Sequence, residues 1–126
     1  MDYSQLSDQV INAMVGKIVS KDGLSIIASD GNAVIHEYAD CGEFKGICLG
    51  WKVFDPCNNA ADAWPIIVGN DISLNSYGSA WEASFEHDAP IGAYGTDETV
   101  TSGYEHRNPL RAAMIAFLMK QEYASA

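Results

Sequence analysis

A single α+β domain over residues 1–126 is the fold that the sequence predicts, with an antiparallel or mixed sheet of two hairpins and three helices packed on it. Three observations support it. Segments typical of helix, hairpin, helix, hairpin and helix follow one another, without the alternation of a parallel βαβ sheet. The chain has room for one core. Its composition, 48% hydrophobic and 19% charged, is that of a globular protein.

The first predicted helix and hairpin lie within residues 8–38. Ser7 is a typical N-cap, Asp8 adds an acid to the first turn, and apolar residues then recur on one helical face: Ile11, Met14, Val15 and Ile18. This pattern predicts a helix over 8–19. Two short strands over 24–29 and 33–38 follow, because Asp30, Gly31 and Asn32 between them tolerate a tight turn.

The middle of the chain predicts a short strand, a helix and a second hairpin. Glycines interrupt residues 41–54, which leaves a strand over 49–54. Asp62 is the predicted cap of a helix that carries Pro65 in its first turn and ends near 69–70. Strands over 71–75 and 79–85 follow, with Trp81, Ala83 and Phe85 on one face and Glu82 and Ser84 on the other.

Residues 87–107 show no sustained periodicity, and such a long loop in a small domain is either mobile or functional. Asn108 and Pro109 are a typical cap and first helical residue. An apolar stripe then predicts a C-terminal helix over 109–122, formed by Leu110, Ala113, Met114, Phe117 and Leu118.

The charge of the chain is strongly negative, at −10, and it is unevenly distributed. No lysine or arginine lies between Lys52 and Arg107, whereas nine acids do: Asp55, Asp62, Asp71, Glu82, Glu86, Asp88, Asp97, Glu98 and Glu105. Such a surface repels phosphate backbones, so direct nucleic-acid binding is disfavoured and a basic protein partner is favoured. The ordinary alternative is that the acids only keep the protein soluble.

Motifs for a cofactor, a metal or a membrane are missing from the sequence. It contains no P-loop, no dinucleotide-binding glycine pattern and no nucleophile elbow. The three cysteines, Cys41, Cys48 and Cys57, form no CxxC pair, so we expect reduced thiols and no metal site. No apolar run is long enough to span a bilayer and no signal peptide is recognisable, so we expect a cytoplasmic protein.

Four segments resemble the NinX-type proteins of tailed phages and prophages. They are YSQLSDQVINAMV (3–15), CNNAADAWPIIVGNDISL (57–74), the Trp81 strand and NPLRAAMIAFLM (108–119). Ala60 stands where many relatives have proline. The resemblance implies a phage or prophage origin, and it implies no catalytic residue.

Phage origin and charge together predict a non-enzymatic accessory protein that binds and inhibits a basic, nucleic-acid-binding host protein. An anti-defence inhibitor of the anti-CRISPR type is one such protein. The predicted contacts are acids of residues 86–105 with two aromatic anchors: Glu86, Asp88, Tyr94, Asp97, Glu98, Tyr104 and Glu105. No cofactor is expected.

A small-molecule binder, for example a nucleotide sponge, is the alternative. Its pocket would be formed by three tryptophans and the polar residues of one helix N-terminus: Trp51, Trp64, Trp81, Asn58, Asn59 and Asp62. The purely structural interpretation is that the asparagines shape a turn, Asp62 caps the helix and Trp64 fills the core. An enzyme using Cys57, His87 or Asp62 is a third hypothesis.

Overall fold

The protein is described here by a computed structural model that covers residues 1–39, 47–88 and 99–125. These residues form three α-helices and two three-stranded antiparallel sheets, which confirms the predicted α+β class. The chain divides into two compact units, Met1–Pro56 and Cys57–Ala126, each with one of the sheets. The two predicted hairpins therefore do not form one sheet, because each is part of a separate three-stranded sheet. That 1–126 is one domain stays a prediction.

The elements follow the predicted order with small shifts of their ends. Those of the first unit are α1 (Asp8–Val19), β1 (Ser25–Ile27), β2 (Ala33–Ala39) and β3 (Ile47–Val53). Those of the second unit are α2 (Ala60–Gly69), β4 (Ser73–Ser76), β5 (Trp81–Asp88), β6 (Thr99–His106) and α3 (Pro109–Ser125).

In the first unit, α1 packs on β1 and β2. The Ser7 hydroxyl accepts a hydrogen bond from the Val10 amide at 3.2 Å, so Ser7 is the predicted N-cap. Ile11 and Val15 are fully buried, and Gly16 lies against Ser25 and Ile35. The strand order is β1-β2-β3, and a bulge shifts the β2–β3 register after Glu37.

In the second unit, the strand order is β4-β5-β6 and α3 packs on this sheet. The side-chain oxygen of Asn108 accepts hydrogen bonds from the amides of Leu110 and Arg111, at 2.9 and 3.4 Å, as expected of a cap ahead of Pro109. Eight consecutive residues of α3, 111–118, are buried. Phe85, 2% exposed, joins them from the central strand.

The prediction of a structureless loop over 87–107 was wrong for most of its described residues. β5 continues to Asp88, and Thr99–His106 form the strand β6. Residues 89–98 lie outside the described part of the chain. β6 has few apolar residues because one of its faces is exposed and the other is only half-buried, so its strand conformation comes from pairing with β5 along its whole length.

Helix α2 begins earlier than predicted, which changes the roles of four residues. The Asn59 side chain accepts a hydrogen bond from the Ala61 amide at 2.9 Å, so Asn59 is the cap and Asp62 lies inside the first turn. Pro65 is a helix-interior residue, and its missing N–H costs the helix one hydrogen bond. Trp64 is 60% exposed, so its predicted place in the core was wrong. The buried side of α2 is instead Ala63, Ile66 and Ile67, at i, i+3 and i+4.

Replacing Gly16 by alanine should destabilise the first unit, because a Cβ there would lie 2.5 Å from Ser25 Oγ and 2.9 Å from Ile35 Cγ2. We expect a loss of about 1–3 kcal/mol, the usual cost of overpacking. Gly69→Ala is the matched control, because nothing lies within 4 Å of the added atom and alanine favours helix. Chemical denaturation followed by circular dichroism measures both, and equal midpoints would contradict the close contact.

Candidate functional site

The outer face of the second sheet, opposite the face that packs on α3, carries a row of carboxylates. In the register of β5 and β6, Glu82 lies opposite Glu105, Glu86 opposite Thr101 and Asp88 opposite Thr99. Side chains paired in this way lie on the same side of an antiparallel sheet. We call this surface the acidic face and define it by Glu82, Glu86, Asp88 and Glu105.

The acidic face is accessible and its charge is not compensated. Glu86, Asp88 and Glu105 are exposed, and Glu82 is half-buried. Within residues 1–39, 47–88 and 99–125, no lysine, arginine or histidine forms an ion pair with any of these four carboxylates. Their negative potential is therefore directed into solvent.

One cross-strand pair on this face is unfavourable for folding. Glu82 and Glu105 are directly opposite residues, and like charges in that position destabilise a sheet. A lysine at either position would stabilise the same pair. The sequence thus places its acids where they cost stability.

The other predicted partner contacts are distributed differently. Tyr104 pairs with Ala83 and is half-buried on the α3 side of the sheet, away from the acidic face. Tyr94, Asp97 and Glu98 lie outside the described residues. The structure thus brings Glu86, Asp88 and Glu105 together on one face, and it adds Glu82.

The residues predicted to bind a small molecule have structural roles or are divided between the two units of the chain. Asn59 caps α2, and the Asn58 side chain accepts a hydrogen bond from Asn108 at 3.4 Å. Trp64 projects from α2, and Trp81 pairs with His106 at the end of β5. Trp51 belongs to β3 of the first unit, where its ring lies 3.7 Å from that of His36.

A groove of about 640 Å³ opens beside the acidic face at a place that the sequence did not predict. Its lining is mostly polar and comes from β4, β5, β6, α3 and the turn before β4: Asp71, Ser73, Asn75, Ser84, Phe85, Glu86, Thr101 and Lys120. The volume is in the range of small-molecule sites. The feature of the sequence that could have indicated this groove is the alternation of polar residues along β5, which places Ser84 and Glu86 on one face.

A second polar cluster lies in the first unit and was also missed. The Nδ1 nitrogen of His36 and the hydroxyl of Tyr38 both donate to Oδ2 of Asp22, at 2.5 and 2.7 Å. Asp22 lies between α1 and β1, so these bonds fix that connection to β2. The hydrogen bond from His36, followed by that from Tyr38, holds the pKa of Asp22 well below its ordinary value. The bond to Asp22 raises the pKa of Tyr38 to about 12. The only feature of the sequence that indicated this cluster was the i, i+2 spacing of His36 and Tyr38 on one strand.

Residues proposed for an enzyme are not assembled into a recognisable catalytic group. Cys57 is completely buried. His87 Nε2 lies 2.8 Å from Ser102 Oγ, and its ring stacks on Tyr123 at 3.9 Å. Among the residues that the structure describes, no three or more histidine, cysteine or acidic side chains are placed to hold a metal ion. In that same part of the chain no helix is long and apolar enough to cross a membrane.

Comparison with known families decides the origin of the chain. The family model described as "Bacteriophage P22, NinX" matches residues 2–121. The chain belongs to this family. It is therefore a phage-encoded accessory protein, and NinX is not a known enzyme family. No curated protein and no solved structure matches the chain.

Two of the segments that carry the NinX resemblance are joined in the structure. The Asn108 side chain donates to the carbonyl of Cys57 at 2.7 Å while its oxygen caps α3. One side chain thus links the segment before α2 to the start of α3. The first job of CNNAADAWPII in this NinX protein is structural, since it provides that link and the α2 cap.

Trp64→Ala should cost little stability, in contrast to the expectation from sequence. Its side chain is 60% exposed, so we expect a loss below about 1 kcal/mol. Phe85→Ala, at a position 2% exposed, should cost about 3–5 kcal/mol. Urea unfolding of both variants tests the comparison, and a Trp64 loss as large as that of Phe85 would contradict the observed exposure.

Tyr38 should ionise at unusually high pH. A raised pKa in the folded state means that Tyr38 contributes stability below its ordinary pKa of about 10. That contribution is lost as the pH rises through about 12. The pKa of Asp22 is lowered instead, so the pH dependence is reversed. Its contribution to stability is present above its ordinary pKa and is lost as the pH falls below about 4.

Ultraviolet absorbance of phenolate during alkaline titration measures the Tyr38 effect. Tyr38→Phe should remove the component with the highest pKa, and Asp22→Asn should lower it towards the ordinary value. A high component that survives Tyr38→Phe would show that the bond to Asp22 is not its origin.

Proposed function

We propose that this NinX protein is a non-enzymatic inhibitor that uses its acidic face to bind a host protein with a basic, nucleic-acid-binding surface. The observation that carries the proposal is the alignment of Glu82, Glu86, Asp88 and Glu105 on one side of a sheet without described cationic partners. A row of carboxylates on a rigid sheet resembles the charge pattern that such a host protein recognises in a phosphate backbone.

The unfavourable Glu82–Glu105 pair supports a binding function over solubility alone. Acids serve solubility equally well when they are dispersed, and dispersal avoids the cross-strand repulsion. Two glutamates held directly opposite each other gain a use when a partner supplies a cation between them.

The absence of a recognisable catalytic group among the described residues is compatible with a binding protein, and the charge predicts how it binds. Electrostatic complementarity accelerates association and makes it sensitive to salt. We propose a host defence complex, of the CRISPR surveillance type, as the target, because a phage benefits when such a complex is kept from nucleic acid.

Glu82→Gln combined with Glu105→Gln should weaken target binding without weakening the fold. Removing the repulsive pair should leave the free energy of unfolding unchanged or raise it by about 0.2–1 kcal/mol. The control is Glu37→Gln with Glu122→Gln, which makes the same change in net charge at two exposed glutamates that are not part of the acidic face.

The measurement is affinity capture from host lysate at low and moderate salt, with bound proteins identified by mass spectrometry. We expect a nucleic-acid-binding protein that double-stranded DNA displaces and that the control variant retains. Phage plating on a host with active CRISPR interference then tests the inhibitor role. Recovery of no basic or nucleic-acid-binding partner at either salt concentration would reject the proposal.

A further inference from the structure

The sheet of the first unit has one face packed on α1 and one face exposed, and we propose that the exposed face binds a second copy of this chain to form a symmetric dimer. This inference does not depend on inhibition of a host protein. It rests on the register of the three strands, the exposure of their apolar side chains and the charge of that face.

The register shows which residues lie on each side of the sheet. A Cβ on Gly16 of α1 would meet both Ser25 and Ile35, which are direct partners on β1 and β2. Those two residues therefore face the helix. Because side chains alternate along a strand, their neighbours Ile26 and Val34 point to the opposite side.

That opposite side is apolar and aromatic. Ile26, Val34 and Val53 form one row across all three strands, and His36 lies opposite Trp51 in the next row. The rings of His36 and Trp51 are 3.7 Å apart between centroids. We call this surface the apolar face and define it by seven residues: Ile26, Val34, His36, Tyr38, Cys48, Trp51 and Val53.

The apolar face is uncovered in the chain. Ile26, Trp51 and Val53 are each 47–54% exposed. Within residues 1–39, 47–88 and 99–125, no helix packs extensively on β3. Large apolar side chains exposed together on neighbouring strands are typical of an interaction surface, whereas scattered ones are ordinary.

The charge of the apolar face favours a second copy of this chain as its partner. None of its seven residues is acidic, although the net charge of the chain is −10. The carboxylate beside it, Asp22, accepts hydrogen bonds from His36 and Tyr38. Glu37 lies on the α1 side of the sheet, since it pairs with Gly50. Association between two acidic chains is least opposed where acids are few, and a second copy presents the same uncharged surface.

The size of the apolar face is that of a stable dimer interface. Two further exposed side chains adjoin it, Leu24 just before β1 and Leu49 next to Cys48. Half-exposed large side chains offer about 100 Å² each, so these five supply about 400–500 Å² of apolar surface. A stable interface of about 800 Å² per partner contains about 450 Å² of it.

The face of the sheet suits dimerisation better than the free edge of β3. The register of β2 and β3 shifts at Leu49, and Gly50 beside it has a φ of 121°. A bulge of this kind bends an edge strand and opposes pairing with another strand. Two flat apolar faces related by a two-fold axis can instead stack as the sheets of a β-sandwich do.

Sedimentation equilibrium of the full chain tests the proposal. We expect a species with twice the 13.6 kDa of the chain. Its dissociation constant should fall as salt is added, because salt screens the repulsion between two acidic chains. Binding of a basic host protein should weaken with salt. A monomer at every concentration up to about 0.1 mM would overturn the dimer.

Ile26→Lys and Val53→Lys should each weaken the dimer at least about tenfold, because each brings a charge into the apolar contact. Val68→Lys is the matched control. Val68 is 55% exposed, against 54% for Val53, but it lies on α2 of the second unit. We expect less than about a twofold change for it.

The tryptophans supply a second matched pair. Trp51→Ala should weaken the dimer at least about thirtyfold, as expected of an aromatic anchor at the centre of an interface. Trp64→Ala, at an exposed position on α2, should change it less than about twofold. Circular dichroism verifies that each variant is folded. If a lysine variant is unfolded, Ile26→Ala or Val53→Ala replaces it, with an expected weakening of about fivefold.

The pattern of effects distinguishes the apolar face from other contacts. In the strand order β1-β2-β3, Ile26 lies on the edge strand opposite β3. Weakening by Val53→Lys without weakening by Ile26→Lys would place the contact at the β3 edge and overturn the proposal. Dissociation by Val68→Lys or Trp64→Ala would place it on α2 and overturn the proposal as well.

The two proposals fail separately. Glu82→Gln with Glu105→Gln should leave the dimer intact, because both residues belong to the second sheet. Loss of host-protein capture with an intact dimer would leave the dimer standing. A monomeric chain that still captures its host protein would leave the inhibitor standing.

Discussion

The pairing of β5 with β6 is the constraint on which the acidic face depends. Eight consecutive residue pairs form this register without a bulge, from Trp81 opposite His106 to Asp88 opposite Thr99. Because side chains alternate along a strand, this one register sends Phe85 towards α3 and Glu86 to the opposite side. A shift of either strand by one residue would bury acids and expose the aromatic core. The burial of Phe85 against α3 therefore holds the acidic face outward.

The second unit combines that sheet with a tightly fixed start of its last helix. Asn108 is hydrogen-bonded in two directions, to the amides that open α3 and to the carbonyl of Cys57. The NinX segments around residues 57 and 108 are thus parts of one structural joint. This explains why a stretch rich in asparagine looks like a binding motif in the sequence and yet has a role in folding.

The acidic face places like charges where they work against folding. Glu82 and Glu105 lie directly opposite each other, and like charges in that position oppose stability. The cost is tolerable because the other face of the same sheet packs on α3, where the apolar residues 112–118 are all buried. Features of this kind are expected where a protein is shaped for a ligand as well as for its fold.

The sequence by itself determined the α+β class, the helices at both ends, the turn residues and the asymmetric charge. These features depend on local periodicity, capping and composition, which a single chain segment carries. It also indicated that Glu82 and Ser84 share a face, since strand alternation is local. The start of α2 was predicted wrongly because Asn59 and Asp62 are both acceptable caps. The same error led to the prediction that Trp64 lies in the core.

Only the tertiary structure decided that Thr99–His106 is a strand, because its conformation comes from pairing with β5 rather than from its own residues. Tertiary structure likewise brought Asp71 and Lys120 to one groove and Asp22 to His36. Contacts between residues distant in sequence depend on how whole elements pack, and no local pattern records them.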